Sequence, residues 1–235
     1  ALLLFFIVRD APPEHAGAGD RGESWGEVLS GLRSVLANRE LWLVSAIQFV
    51  CYATVLTVVG LWGGPYLADV HGLDGVARGN VLMALNIAVL VGVSLYGRLD
   101  HHIGQRKWLI VSGAVTTAAI LALLAALEKP DFWTATILLL LFAAVGSYVM
   151  VNHAFARAVL PDHLIGRGLT FQNLAVFLGV AAIQSASGLI IGSFSNDGGQ
   201  SPEIAYRWVF GFLAVLLICA AAIFANARET DRMQS

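Results

Sequence analysis

The amino-acid sequence predicts an all-α membrane protein built as a six-transmembrane-helix bundle. Hydrophobic residues make up 57% of the 235 residues, above the ~45–50% of soluble domains. Charged residues make up only 13%, about half of the usual ~25%. Six apolar runs contain no Asp, Glu, Lys or Arg and cover residues 41–66, 80–97, 108–127, 133–156, 170–192 and 208–227. A spanning helix needs ~20 residues, and a helix satisfies its own backbone in lipid, so each run predicts one span.

The segment before the first run divides into two parts. Residues 1–8 are apolar but too short to cross a bilayer, and no basic region precedes them, so we interpret them as the end of a truncated transmembrane helix. Residues 9–40 form a polar linker that begins rich in Pro, Gly and Ala. Further on, Trp25, Leu29 and Leu36 recur at helical spacing and predict an amphipathic helix. That helix either lies on the membrane surface or extends the first span.

The basic residues predict the orientation of the transmembrane part, residues 41–227. Eleven lie on one side of the predicted membrane: Arg9, Arg21, Arg33, Arg39, Arg98, Arg106, Lys107, Arg157, Arg167, Arg228 and Arg232. Three lie on the other: Arg78, Lys129 and Arg207. Because cytoplasmic loops carry an excess of Lys and Arg, the linker and the tail, residues 228–235, are expected in the cytoplasm of a multi-pass protein.

The composition argues against several other functions. A net charge of −2 and the absence of a basic patch give no reason to expect a nucleic-acid partner. Cys51 and Cys219 lie inside apolar runs, and we interpret them as small buried hydrophobic residues. Within the runs no paired carboxylates occur, and neither H-E-x-x-H nor G-x-S-x-G is found there. We therefore expect no enzyme activity, no catalytic residue, no cofactor and no metal site.

The loop between the second and third runs, GRLDHHIGQRK, is the most informative segment. Gly97 and Gly104 would allow a tight turn where two helices meet. Asp100 could accept hydrogen bonds from a neighbouring helix N-terminus. Arg106 and Lys107 would anchor the loop at the cytoplasmic surface. Taken alone, the segment could equally be an ordinary short basic loop.

This loop resembles the G-x-L-x-D-R-x-G-R-R/K motif of the major facilitator superfamily, found between the second and third helices of each half. Gly97 and Gly104 keep the spacing, while the acid, Asp100, comes one position early. Residues 60–67 are similar to the outer end of helix seven in this superfamily, and residues 160–168 resemble its Pro…Gly-Arg-Gly turn. The resemblance covers essentially the whole chain and implies one half of the superfamily fold, from the end of helix six to helix twelve.

The resemblance also implies a function. It predicts secondary active transport of a small solute by alternating access, with an N-terminal six-helix half as partner, in a bacterial inner membrane. The alternative is a non-transporting or truncated protein derived from a transporter, such as a sensor or a fragment. The uncharged spans leave a sugar, another neutral metabolite or a drug-like molecule open as the solute.

Polar residues inside the runs are the candidates for a substrate cavity, because they are costly in lipid and usually face the bundle interior. They are Gln48, Tyr52, Asn86, Ser147, Asn152, His153, Asn173 and Gln184. At 1.5 Å per residue, Gln48, Asn152, His153 and Asn173 come out roughly 8–12 Å from the cytoplasmic ends. Each candidate could instead form a structural hydrogen bond between helices, which contributes ~0.6 kcal/mol on average. His153 could likewise be a hydrogen-bonded core histidine with no role in function.

Glycines spaced four apart predict where helices pack closely, because small residues let two backbones approach. Two such pairs occur: Gly60 with Gly64 in the first run, and Gly188 with Gly192 in the fifth. We expect a structural role for both pairs.

Overall fold

A computed structural model of the chain describes residues 25–194 and 201–228. The predictions for residues 1–8, for residues 9–24 of the linker and for residues 229–235 lie outside this part. Within it the chain is helical and contains no strand. The predicted six spans are confirmed as Arg39–Asp69, Gly75–Ile103, Arg106–Ala126, Phe132–Ala158, Ile165–Phe194 and Glu203–Phe224, each long and apolar enough to cross a membrane.

Three spans differ in detail from the apolar runs that predicted them. The first contains a π-helical stretch, Leu56–Trp62, between two α-helical parts. The fourth is broken between its α-helices Phe132–Gly146 and Val149–Ala158. The second continues to Ile103 rather than ending near residue 97. Its extra turns carry charged side chains, which are costly in hydrocarbon but not beyond it, so the apolar run stops before the helix does.

The amphipathic helix Trp25–Ala37 is separate from the first span. Asn38 has an extended backbone, which separates this helix from the first span. Its side-chain oxygen accepts a hydrogen bond from the backbone N–H of Leu41. The Asn38 side-chain amide also donates to the carbonyl oxygen of Val159, at 3.2 Å. Of the two alternatives, an extension of the first span is therefore wrong. Trp25 is 85% exposed, whereas Val35 is fully buried against the bundle.

The spans differ in how much of their surface the bundle covers. The third and sixth spans pack most extensively against each other, as do the first and fifth, and the second and fourth. Only 17% of the apolar window of the second span and 28% of that of the fifth are buried, against 44% or more for the others. The second and fifth spans therefore present the largest unpartnered faces.

Close approaches between spans occur at glycines other than the predicted pairs. A side chain at Gly179 would collide with the backbone carbonyl of Phe49 in the first span, and one at Gly92 would collide with the fourth span. A Cβ placed at Gly188 or Gly192 would meet nothing within 4 Å. The expectation of close packing at that pair is therefore wrong within the described residues.

The bundle has two chemically distinct ends. We call the basic end the one where the first span begins and the sixth ends, and there the backbone N–H of Arg228 donates to the Glu40 carboxylate at 2.9 Å. At the opposite end, the Tyr206 hydroxyl donates to Asp69 at 2.6 Å. The basic end carries the described residues Arg33, Arg39, Arg98, Arg106, Lys107, Arg157, Arg167 and Arg228. The basic residues of the described loops therefore lie mainly at one end of the bundle, as their distribution in the sequence predicts.

Candidate functional site

Polar side chains from the first, fourth and fifth spans meet in a buried group near the basic end, which we call the amide cluster: Gln48, Asn152, His153 and Gln172. The Asn152 amide donates to Gln48 Oε1 at 2.6 Å and lies 3.1 Å from the Cys51 sulfur. Gln48 Nε2 is 3.4 Å from His153 Nδ1. Gln172 Nε2 donates to the backbone carbonyl of Asn152 at 3.4 Å. Three of the eight predicted site residues are therefore brought together.

The hydrogen bonds of the amide cluster assign the proton of His153. Gln48 Oε1 accepts from Asn152, so Gln48 Nε2 points toward the imidazole as a donor. His153 Nδ1 must then be the acceptor, and the neutral ring carries its proton on Nε2. His153 is half-buried and reaches a cleft at the basic end. No hydrogen bond among the described residues uses its Nε2–H.

Gln172 is the member of the amide cluster that sequence reasoning missed. The sequence selected Asn173, whose side chain is exposed, whereas Gln172 is fully buried. Gln172 lies on the buried stripe of the fifth span together with Gly168, Val176 and Gly179. That spacing of three and four residues is visible in the sequence and could have identified Gln172. Gln184, half-buried and eleven residues beyond Asn173, lies on nearly the same side of the helix.

Five of the eight predicted site residues do not join the amide cluster: Asn173 and Gln184, described above, and Ser147, Asn86 and Tyr52. Ser147 is buried at the break in the fourth span, and its hydroxyl lies 3.0 Å from the carbonyl oxygen of Val89. It therefore ties the fourth span to the second. Asn86 is exposed, and its amide donates to the carbonyl of Leu82 in its own helix at 2.8 Å. Tyr52 is half-buried on the first span, one turn beyond Gln48.

The loop motif forms a compact turn at the basic end. Gly104 ends the second span with a left-handed backbone, φ 70°, which glycine adopts without a steric cost. Asp100 accepts from Arg106 Nε at 2.9 Å and from Nη2 at 3.2 Å. Lys107 Nζ lies 5.1 Å from the centre of the Trp108 ring. Gly97 lies inside the helix, where an added Cβ would meet nothing within 4 Å, so the expectation of a turn there is wrong.

Two concave surfaces flank the amide cluster. One is a cleft of about 500 Å³ at the basic end, which we call the basic cleft, and its lining residues are Arg106, His153, Ala154, Arg157, Ala158 and Ile165. The other is an apolar groove of about 510 Å³ between the first and fifth spans. Its lining includes Trp42 and Phe171, whose rings meet edge to face with centroids 4.8 Å apart. Among the described residues no group of His, Cys, Asp and Glu side chains could hold a metal ion.

Comparison with known proteins identifies the family and the fold. A family model described as Major Facilitator Superfamily matches residues 79–234. The inward-open xylose transporter XylE from E. coli is similar in fold, with 15% identity and a TM-score of 0.61 over 85% of this chain and 48% of that chain. The proton:xylose symporter XylE bound to 6-bromo-6-deoxy-D-glucose gives 15% identity and a TM-score of 0.62, over 86% and 46%. The chain thus spans about half the length of these solved structures. No curated protein matches the sequence significantly.

Proposed function

The chain belongs to the major facilitator superfamily, and we propose that it forms the C-terminal six-helix half of a secondary transporter. In this proposal an N-terminal six-helix half completes the protein, and the two halves rock about a site between them to move a small solute. The observation that carries the proposal is the likeness to XylE, which covers 85% of this chain but only 48% of XylE.

The distribution of exposed surface supports a partner half. The second and fifth spans are the least buried, and Phe177 on the fifth span is 73% exposed. The apolar groove beside it, lined by Trp42 and Phe171, is open. A second bundle packed on these faces would cover them in the same way as the six spans cover one another.

The chemistry of the accessible polar residues supports a neutral solute that forms hydrogen bonds. In this proposal Tyr52, His153, Asn173 and Gln184, whose side chains are exposed or half-buried, line the solute path. The fully buried amides, such as Gln48, hold the spans in register around it. A monosaccharide suits uncharged amide, phenol and imidazole groups, and XylE, which is similar in fold, is a xylose transporter.

Reconstitution tests the proposed function. The chain alone and the chain joined to a six-helix N-terminal half would be placed in proteoliposomes, and uptake of labelled xylose and other neutral solutes would be measured. We expect saturable uptake with both halves and none with the chain alone. Full uptake by the chain alone would contradict the half-transporter proposal. A second readout is independent of the solute: with both halves, labelling of cysteines introduced at the two ends should change reciprocally, and its absence would contradict alternating access.

The orientation is a further part of the proposal. Placing the basic end in the cytoplasm of a bacterial inner membrane follows the positive-inside tendency. A reporter fused after Ser235 that is active only in the cytoplasm should be active, and the same reporter inserted after Lys129 should be inactive. The reverse pattern would overturn the orientation without affecting the fold.

A further inference from the structure

The basic cleft carries more positive charge than the described carboxylates around it pair with. Arg106, at the start of the third span, and Arg157, on the fourth, line it together with His153. Asp100 pairs with one of these two guanidinium groups, through Arg106 Nε and Nη2. Within the described part of the chain, Arg157 has no hydrogen bond or ion pair, and its side chain is exposed. One guanidinium charge is therefore left without a counter-charge from the residues that the structure describes.

Hydrogen-bond donors in the basic cleft are also left over. The Asp100 pair uses one edge of the Arg106 guanidinium and leaves Nη1 without an acceptor among the described residues. The amide cluster places the proton of neutral His153 on Nε2, the nitrogen that does not face Gln48. Arg157 adds a complete guanidinium fork. The small side chain of Ala154 leaves open space beside these donors.

We propose that the basic cleft binds a phosphate group, presented either by the headgroup of an anionic phospholipid or by inorganic phosphate. A guanidinium fork matches the geometry of phosphate oxygens, and such charge-assisted hydrogen bonds are among the stronger ones in proteins. Basic pockets between transmembrane helices are known binding sites for acidic headgroups. A volume of about 500 Å³ accommodates a phosphate with an attached glycerol. The site does not depend on which solute the protein transports, or on whether it transports one.

Thermal unfolding with two probes tests the site. The purified chain in a neutral detergent would be titrated with inorganic phosphate and, separately, with dihexanoyl phosphatidylglycerol, at constant ionic strength because salt screens exposed charges. Dihexanoyl phosphatidylcholine is the control for a general lipid effect. We expect a saturable rise in melting temperature with phosphatidylglycerol or with both anionic probes. A rise with phosphatidylglycerol alone assigns the site to lipid, and a rise with both assigns it to the phosphate group itself.

Matched variants locate the binding. Arg157→Gln should weaken the apparent affinity at least tenfold, while Arg228→Gln, the same charge change at the same end but outside the cleft, should change it less than twofold. Arg157 is exposed and unbonded within the described residues, so its variant should fold, which an unchanged circular dichroism spectrum would verify. The proposal is overturned if neither anionic probe stabilises the chain, if phosphatidylcholine stabilises it equally, or if both variants weaken binding to the same extent.

Discussion

Asp100 and Arg106 form a two-point ion pair across the turn at Gly104, with distances of 2.9 and 3.2 Å and side chains that are only 16% and 20% exposed. Because the pair is shielded from water, Asp100→Asn should lower the free energy of unfolding by ~1.5–3 kcal/mol. Arg98→Gln, which removes an exposed charge from the same segment, should change it by less than ~0.5 kcal/mol. Melting temperatures of the purified variants would check this, and equal losses would show that the pair adds no stability.

The two glycines of the loop motif should respond to alanine in opposite directions. Gly104 has φ 70°, a region that costs an L-residue ~1–2 kcal/mol, so Gly104→Ala should destabilise the chain. Gly97 lies in the helix with open space around it, so Gly97→Ala should stabilise it by up to ~1 kcal/mol. Thermal unfolding of the two variants side by side is the measurement. A loss at both positions would mean that residue 97 needs glycine for a contact outside this bundle.

The approach of the first and fifth spans depends on Gly179. A side chain there meets the backbone carbonyl of Phe49, which has no way to move aside, so Gly179→Ala should cost at least ~1–3 kcal/mol. Gly188 on the same helix faces open space, and Gly188→Ala should be neutral or slightly stabilising. Crosslinking between cysteines placed in the first and fifth spans, together with melting temperature, would report the separation. Unchanged crosslinking in Gly179→Ala would refute the close approach.

The amide cluster predicts different effects for two asparagines of neighbouring spans. Asn152→Ala removes the donor to Gln48 Oε1 and should destabilise the chain by ~0.6–1.7 kcal/mol, the range for hydrogen bonds between membrane helices. Asn173 is exposed, so Asn173→Ala should leave the melting temperature unchanged and, if it lines the solute path, should raise the KM for transport. A destabilisation by Asn173→Ala as large as that by Asn152→Ala would contradict the assignment.

His71, in the turn between the first two spans, predicts a pH dependence. Burial of its ring against Tyr66 and Phe132 lowers the pKa of His71, and the nearby carboxylates of Asp131 and Glu203 oppose that shift. Since the folded state favours the neutral ring, this stability is fully present above the ordinary histidine pKa of ~6.5. It is lost as pH falls toward the lowered pKa.

A variant that lacks only His71 measures that dependence. His71→Phe keeps the aromatic contacts, so its melting temperature should fall less than that of the unmodified chain between pH 8 and pH 5.5. His163→Phe, at an exposed position, should retain the full fall. Parallel curves for His71→Phe and the unmodified chain would show that protonation of His71 is not linked to folding.

Part of the candidate site could be predicted from the sequence, and part could not. Gln48, Asn152 and His153 were identifiable because a polar side chain in a long apolar run is costly wherever it lies. Gln172 was missed in favour of its neighbour Asn173, because adjacent residues differ by about 100° around a helix and composition alone does not separate them. Only the spacing of Gln172 with Gly168, Val176 and Gly179 marks the buried face. The basic cleft was equally hidden, since Arg106 and Arg157 are distant in sequence and each reads as an ordinary loop residue.

The sequence by itself determined the six spans, their alternation between a basic and an opposite end, and the resemblance to the superfamily. These features follow from free-energy contributions that add residue by residue along the chain. The contributions are the transfer of apolar residues into lipid and the placement of charged residues outside it. Only the tertiary structure decided that Gly179 rather than Gly188 permits close packing, that Asn38 separates two helices, and that the second and fifth spans stay largely uncovered. Those outcomes depend on the rotation and crossing of one helix against another, which are set by side-chain packing between segments far apart in the chain.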